Sequence, residues 1–99
     1  MKRLNIGLFG FGNVGRGLYD VLGRIESDSV HIRRICVRDI NKERGVDAEF
    51  TDDADAIFND SEINLIVEVI DDAEAAYGIV KRALKSRIPV VSGNKKMLG

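Results

Sequence analysis

The sequence holds one cysteine, Cys36, one proline, Pro89, one histidine, His31, and no tryptophan. A lone cysteine excludes an internal disulfide and suits a reducing compartment, so a cytoplasmic location is expected. Cys36 lies in an apolar run, where a buried inert thiol is expected rather than a nucleophile. His31 has no acidic or cysteine partner close in sequence, and we read it as a strand residue with a surface role rather than a catalytic one. No apolar run approaches the ~18 residues of a membrane-spanning helix, and the start lacks the basic, apolar and small-residue order of a signal peptide. Charge of one sign is missing as well. Fifteen Lys and Arg face sixteen Asp and Glu, the net charge is −1, and the basic residues are scattered. That balance argues against nucleic acid or an anionic membrane as a partner. No repeat, linker or low-complexity stretch breaks the 99 residues, which read as one domain, 1–99. Such a chain can bury its own core, yet it is small for an enzyme that holds both a large cofactor and a substrate.

What is present is organised around Leu4 to Leu22. An apolar run (Ile6, Leu8, Phe9) meets Gly10, Phe11, Gly12, Asn13, Val14 and Gly15, after which Val14, Leu18, Val21, Leu22 and Ile25 recur at helical spacing. Strand, glycine turn and helix in that order are the context in which G-x-G-x-x-G signals a dinucleotide site. Gly10 permits the tight turn, Gly12 lets backbone approach a pyrophosphate, and Gly15 lets the helix pack closely on the strand. The helix start then aims unpaired N–H groups and a positive dipole end at the phosphates. Gly7 and Gly17 have no role that the sequence assigns.

The first strand is expected over Leu4 to Phe9, covered on both faces as in a parallel sheet. The first helix follows over Val14 to Ile25, with Arg16, Tyr19 and Asp20 on its polar side. A second strand is expected over Val30 to Val37. Arg38 and Asp39 come at its end, where this fold meets the adenosine ribose. An acid there hydrogen-bonds the 2′-hydroxyl of NAD, and an arginine accommodates the 2′-phosphate of NADP. With Arg38 first, the cofactor is NADP or NAD, with a lean to NADP or dual use. A single turn is expected from cap Asn41 to terminator Gly45, then a short edge strand Ala48 to Thr51 and a small helix Asp53 to Asn59. Asp52, Asp53 and Asp55 at that helix start read as cap and dipole partners, and no metal site is assigned.

Leu65 to Ile70 reads as a strand interrupted by Glu68, which needs a partner or an opening to water. Asp71 with Glu74 resembles a capping box opening a helix to about Ser86 that buries Ala73, Ala76, Val80, Ala83 and Leu84. Pro89 to Ser92 forms the last strand. The closing run Ser92-Gly93-Asn94-Lys95 falls on the carboxyl edge of the sheet, so Ser92, Asn94 and Lys95 are candidates for the nicotinamide end. The fold expected is a three-layer α/β Rossmann-like domain, a doubly wound parallel sheet of about five strands in the order 3-2-1-4-5.

These stretches together resemble the N-terminal NAD(P)-binding domain of the homoserine dehydrogenase family. The likeness rests on Ile6 to Gly15, on Val37-Arg38-Asp39, on Ile66 to Ile70 and on Val90 to Lys95, where the family carries a Thr-Ala-Asn-Lys-like run. It implies reversible NAD(P)-dependent oxidation of homoserine to aspartate 4-semialdehyde, on the route to threonine, methionine and isoleucine. It implies that backbone from Phe11 to Val14 holds the pyrophosphate and that Arg38 meets the adenosine end. Ser92 lies near the nicotinamide ribose on this likeness, and Lys95 matches a lysine at the reacting carbon with a role in cofactor contact or catalysis. A lysine there suits the chemistry, because a cation stabilises a developing alkoxide and a desolvated amine can move protons. The likeness also implies a homodimeric full-length enzyme whose substrate residues lie in a later region, so that these 99 residues alone turn nothing over. Where the family has paired glycines after the Glu-containing strand, this chain has Asp71 and Asp72, which adds negative charge near a polyanionic ligand. Two other readings share the same glycine turn. One is the cofactor domain of an aspartate dehydrogenase or dihydrodipicolinate reductase, and the other is a non-catalytic nucleotide-sensing module.

Overall fold

The computed structural model describes residues 3–25 and 28–93. Apolar residues at nearly every position of β1 (Leu4–Phe9) place it at the centre of the sheet, buried on both faces from Ile6 onward. Around it lie β2 (Val30–Cys36), β3 (Phe50–Thr51), β4 (Leu65–Glu68) and β5 (Val90–Ser92), in the spatial order β3-β2-β1-β4-β5. All four pairings are parallel. The order 3-2-1-4-5 expected from the sequence is the one observed.

Among the described residues three helices connect the strands: α1 (Asn13–Arg24), α2 (Asp55–Phe58) and α3 (Ala73–Lys85). Because the crossovers between parallel strands are right-handed, the reversal of direction between β2 and β4 puts α1 on one face and α2 and α3 on the other. Two cores result. On the first face Ile6, Leu8, Ile35, Val37 and Val67 pack with Leu18, Tyr19 and Leu22 of α1. On the second, Phe9, Ile57, Ile63, Ile66 and Ala83 pack with Ile79 and Phe58. Gly7 has a role after all: a Cβ there would stand 2.5 Å from the Ile57 side chain, so its absence lets α2 sit close on β1.

Several boundaries differ from the sequence reading. The face of α1 turned to the sheet carries Gly15, Leu18, Tyr19 and Leu22, whereas Val14, Val21 and Ile25 are 64%, 54% and 50% exposed. Tyr19, expected on the polar side, packs its ring against the core while its hydroxyl donates to the Asp47 carbonyl at 3.4 Å. An aromatic ring with a polar tip satisfies both environments at once.

The segment after β2 forms no helical turn at 41–45. Instead the Asp39 side chain accepts the Asn41 N–H at 3.0 Å in an Asx turn, so Asp39 rather than Asn41 is the capping group. Strand β4 ends at Glu68 rather than Ile70, and α3 is capped by Asp72, not Asp71. The Asp72 carboxylate accepts from Glu74 N–H at 3.0 Å and Ala75 N–H at 3.3 Å. Leu84 is 64% exposed, and Ile79 takes the inward position instead.

Candidate functional site

Parallel strands bring all their carboxyl ends to one edge, and on that edge the loops are stitched together by backbone hydrogen bonds. Gly10 N–H donates to the Cys36 carbonyl at 3.0 Å, Val69 N–H to the Phe9 carbonyl at 2.9 Å, and Gly93 N–H to the Glu68 carbonyl at 2.8 Å. The rim therefore gathers Gly10 to Gly15, Arg38, Asp39, the Val69 to Asp72 loop, Ser92 and Gly93. Its centre is the switch point between β1 and β4, where open α/β sheets bind ligands.

Each glycine of the turn has its own geometry. Gly10 has φ +100°, a left-handed conformation that side chains rarely adopt, and a Cβ there would lie 3.1 Å from the Val69 carbonyl oxygen. At Gly15 a Cβ would collide with the Gly10 carbonyl oxygen, so only glycine lets α1 pack this close to the turn. Gly12 is the opposite case, with nothing within 4 Å of the place its Cβ would take. The backbone at Gly12 thus faces open space at the head of a helix.

That helix head is distinctive in charge. Gly12 is the N-cap of α1, no side chain caps the first turn, and no acid lies within it. Helix α3, by contrast, has the Asp72 cap and Glu74 in its first turn, and α2 carries Asp55. The opening N–H groups of α1 point outward with the positive end of the dipole behind them, an arrangement complementary to an anion. The donor set and the open approach at Gly12 fit a dinucleotide diphosphate.

Phe11 anchors the turn on the β3 side. Its ring makes edge-on contacts with Tyr19 and Phe50 at centroid distances of 5.7 and 5.3 Å, and the Arg16 guanidinium lies over it at 5.2 Å. Arg16 also donates to the Arg44 carbonyl at 2.6 Å, while Arg44 lies over Phe50. Sequence reasoning missed both arginines. The available signal was the place of Arg16, directly after Gly15 and within the first turn and a half of α1.

Arg38 and Asp39 follow β2 on the same edge, both exposed. Among the described residues Arg38 has no ion-pair partner, whereas Asp39 already binds the Asn41 N–H. Cys36 is half buried, and burial, followed by the charges of Asp52 and Asp53, pushes its thiol up. A raised thiol stays protonated at neutral pH, which fits the inert reading. His31 is exposed on β2, its pKa lowered by partial burial and by the charges of Arg3 and Arg33. Asn94 and Lys95 lie outside the described residues.

At the far side of the rim, Glu68 has no exposed surface. Its partners are Ser92, whose hydroxyl donates to Oε1 at 2.6 Å, and Ile70, whose N–H donates to Oε2 at 2.5 Å. The need for a partner read from the sequence is met by these two groups.

Comparison with known proteins agrees with this geometry. The family model described as "Homoserine dehydrogenase, NAD binding domain" matches residues 10–99. The homoserine dehydrogenase of Helicobacter pylori is 36% identical over 104 aligned residues, covering 98% of this chain and 25% of the relative. That of Methylobacillus glycogenes is 34% identical, with 99% and 26% covered. Among solved structures, Staphylococcus aureus homoserine dehydrogenase at pH 8.5 superposes with a TM-score of 0.87 at 32% identity, over 96% of this chain and 26% of that one. The Thiobacillus denitrificans enzyme gives 0.80 at 31%, over 96% and 24%. The chain spans about a quarter of the length of these relatives. With a glycine turn, an uncapped α1 and a family match over nearly all its residues, the chain belongs to the homoserine dehydrogenase NAD-binding domain family.

Proposed function

We propose that this chain is the cofactor half of a homoserine dehydrogenase, an oxidoreductase interconverting L-homoserine and L-aspartate 4-semialdehyde for threonine, methionine and isoleucine synthesis. On this reading the full enzyme is a cytoplasmic homodimer, and its substrate-contacting groups come from sequence that these 99 residues do not include. The observation that carries the reading is the acid-free, uncapped head of α1 behind an open Gly12.

Backbone N–H groups from Phe11 to Val14 hold the diphosphate, with the helix dipole behind them. Arg38 meets the adenosine end; with no ion-pair partner among the described residues, its guanidinium suits a 2′-phosphate, so NADP is accepted as well as NAD. Asp39 closes the same loop and offers its second carboxylate oxygen to a ribose hydroxyl. Ser92 serves the nicotinamide side, a role the family resemblance extends to Asn94 and Lys95, which follow it in the sequence. The bound dinucleotide supplies the hydride acceptor or donor. The family resemblance assigns Lys95 to the carbinol oxygen, where a protonated amine would stabilise an alkoxide and give it a proton in the reduction direction.

The test is titration of the chain with NADPH and NADH, followed by nicotinamide fluorescence, for the wild type and Gly12→Ala. A methyl group at Gly12 meets open space in the protein, so the variant folds, yet it stands where the diphosphate approaches. Affinity is expected to fall about tenfold or more, the loss of one good charge-assisted contact. An adenine nucleotide lacking nicotinamide that binds as well as the dinucleotide, with Lys95→Ala unaffected, would turn the reading to a nucleotide-sensing module.

A further inference from the structure

The connection from β2 to β3 departs from the pattern of the rest of the fold. Parallel strands are usually joined by a crossover helix, yet residues 37–49 contain neither helix nor strand. Arg38 and Asp39 lie at the start of this segment, so whatever fixes its shape also fixes the adenosine side of the rim.

Part of that shape is local. The Asp39 carboxylate accepts the Asn41 N–H at 3.0 Å, the Asp39 carbonyl accepts the Lys42 N–H at 3.4 Å, and the Arg44 guanidinium donates to the Lys42 carbonyl at 2.8 Å. The rest comes from α1, where the Tyr19 hydroxyl reaches the Asp47 carbonyl at 3.4 Å and Arg16 donates to the Arg44 carbonyl at 2.6 Å. Arg16 does more than bridge. Its own N–H closes the first turn of α1 on the Gly12 carbonyl at 2.9 Å, and its guanidinium lies over the Phe11 ring at 5.2 Å. One side chain thereby ties together the helix head, the glycine turn and the loop that begins at Arg38. A planar guanidinium suits this task, because it can rest on an aromatic face and donate from its edge at once.

We infer that Arg16 is a positioning residue for the adenosine end of the cofactor: by clamping the Arg44 carbonyl it holds the 38–44 loop, and with it Arg38, ready for a 2′-phosphate. This rests on the cofactor reading above. Without the clamp, the loop has to be ordered at the moment of binding, and that cost falls on the ligand that uses Arg38 most.

The experiment measures NADP and NAD affinities by calorimetry for the wild type, Arg16→Ala, Arg38→Ala and the double variant. Arg16 is exposed on a helix and alanine is a good helix former, so the variant folds. Arg16→Ala is expected to weaken NADP about fivefold, the cost of ordering one loose side chain and its loop, and NAD less than twofold. On the Arg38→Ala background it is expected to add almost nothing, as for two residues that act through one contact. In the cofactor-free protein the amide resonances of Arg38, Asp39, Asn41 and Lys42 are expected to shift in Arg16→Ala, while those of β1 and β4 stay in place. Equal losses for NADP and NAD overturn the inference, and so does an NADP loss that persists in full once Arg38 is alanine, since either would mark a contact independent of Arg38. Unchanged NADP affinity in Arg16→Ala overturns it too. If Arg38→Ala itself costs NADP nothing, the inference falls but the cofactor site stands, whereas wild type binding neither dinucleotide removes the cofactor reading itself.

Discussion

The Gly10 carbonyl oxygen occupies the space in which a Cβ on Gly15 would have to sit. This contact fixes how near α1 comes to the turn, and therefore where its N–H groups point. Gly15→Ala forces backbone apart at that crossing, because a carbonyl oxygen cannot rotate away as a side chain end can. Overpacking of this kind destabilises by about 1–3 kcal/mol. Urea denaturation is expected to show a loss in that range for Gly15→Ala and a much smaller one for Gly12→Ala, whose Cβ meets nothing. Equal losses would contradict the packing account.

Arg38 separates the two cofactors. With no ion-pair partner among the described residues, its charge is available to a 2′-phosphate. Arg38→Ala is expected to weaken NADP by about tenfold, the range of a hydrogen bond between charged groups, and NAD by less than half of that on a logarithmic scale. Equal losses for the two would rule out the phosphate contact.

Stability toward acid has an identifiable source. Asp60 is only 9% exposed at its side chain, and burial by itself would raise its pKa. The Arg33 hydrogen bond at 2.7 Å, the Glu62 N–H and the charges of Arg33 and Arg34 outweigh that, so the folded-state value is lowered. A carboxylate whose pKa is depressed by folding contributes stability that is complete above the unfolded value of about 3.9 and is lost as pH falls through the folded value. The melting temperature is therefore expected to decline below about pH 4, and Asp60→Asn to flatten that decline while lowering stability at neutral pH. A variant whose acid profile runs parallel to the wild type would assign the effect to other carboxylates.

Most of the architecture was legible in the residues. Apolar runs at Leu4 to Phe9 and Leu65 to Glu68 and the placement of the glycines were enough for strand order and helix count, because parallel strands buried on both faces leave a strong local signature. The working face of α1 was not, since valines and isoleucine flank it on one side and a tyrosine lies within it. Hydropathy alone ranks Val14 above Tyr19, yet the ring of Tyr19 finds Phe11, while Val14 remains exposed. The cap of α3 was misplaced by one residue because Asp71 and Asp72 are chemically alike. Which of them caps depends on where β4 stops, a tertiary matter. Glu68 announced itself by its place in an apolar strand, but its partner Ser92 stands 24 positions further on and could be found only in three dimensions.

The most direct test of the central claim follows backbone amide resonances of the isotope-labelled chain during titration with NADPH. The account predicts that the Gly12, Asn13, Val14 and Gly15 amides shift progressively and saturably, as N–H groups at the head of α1 take up the diphosphate. Saturable binding that leaves those four resonances in place, with shifts confined to another part of the molecule, would contradict it.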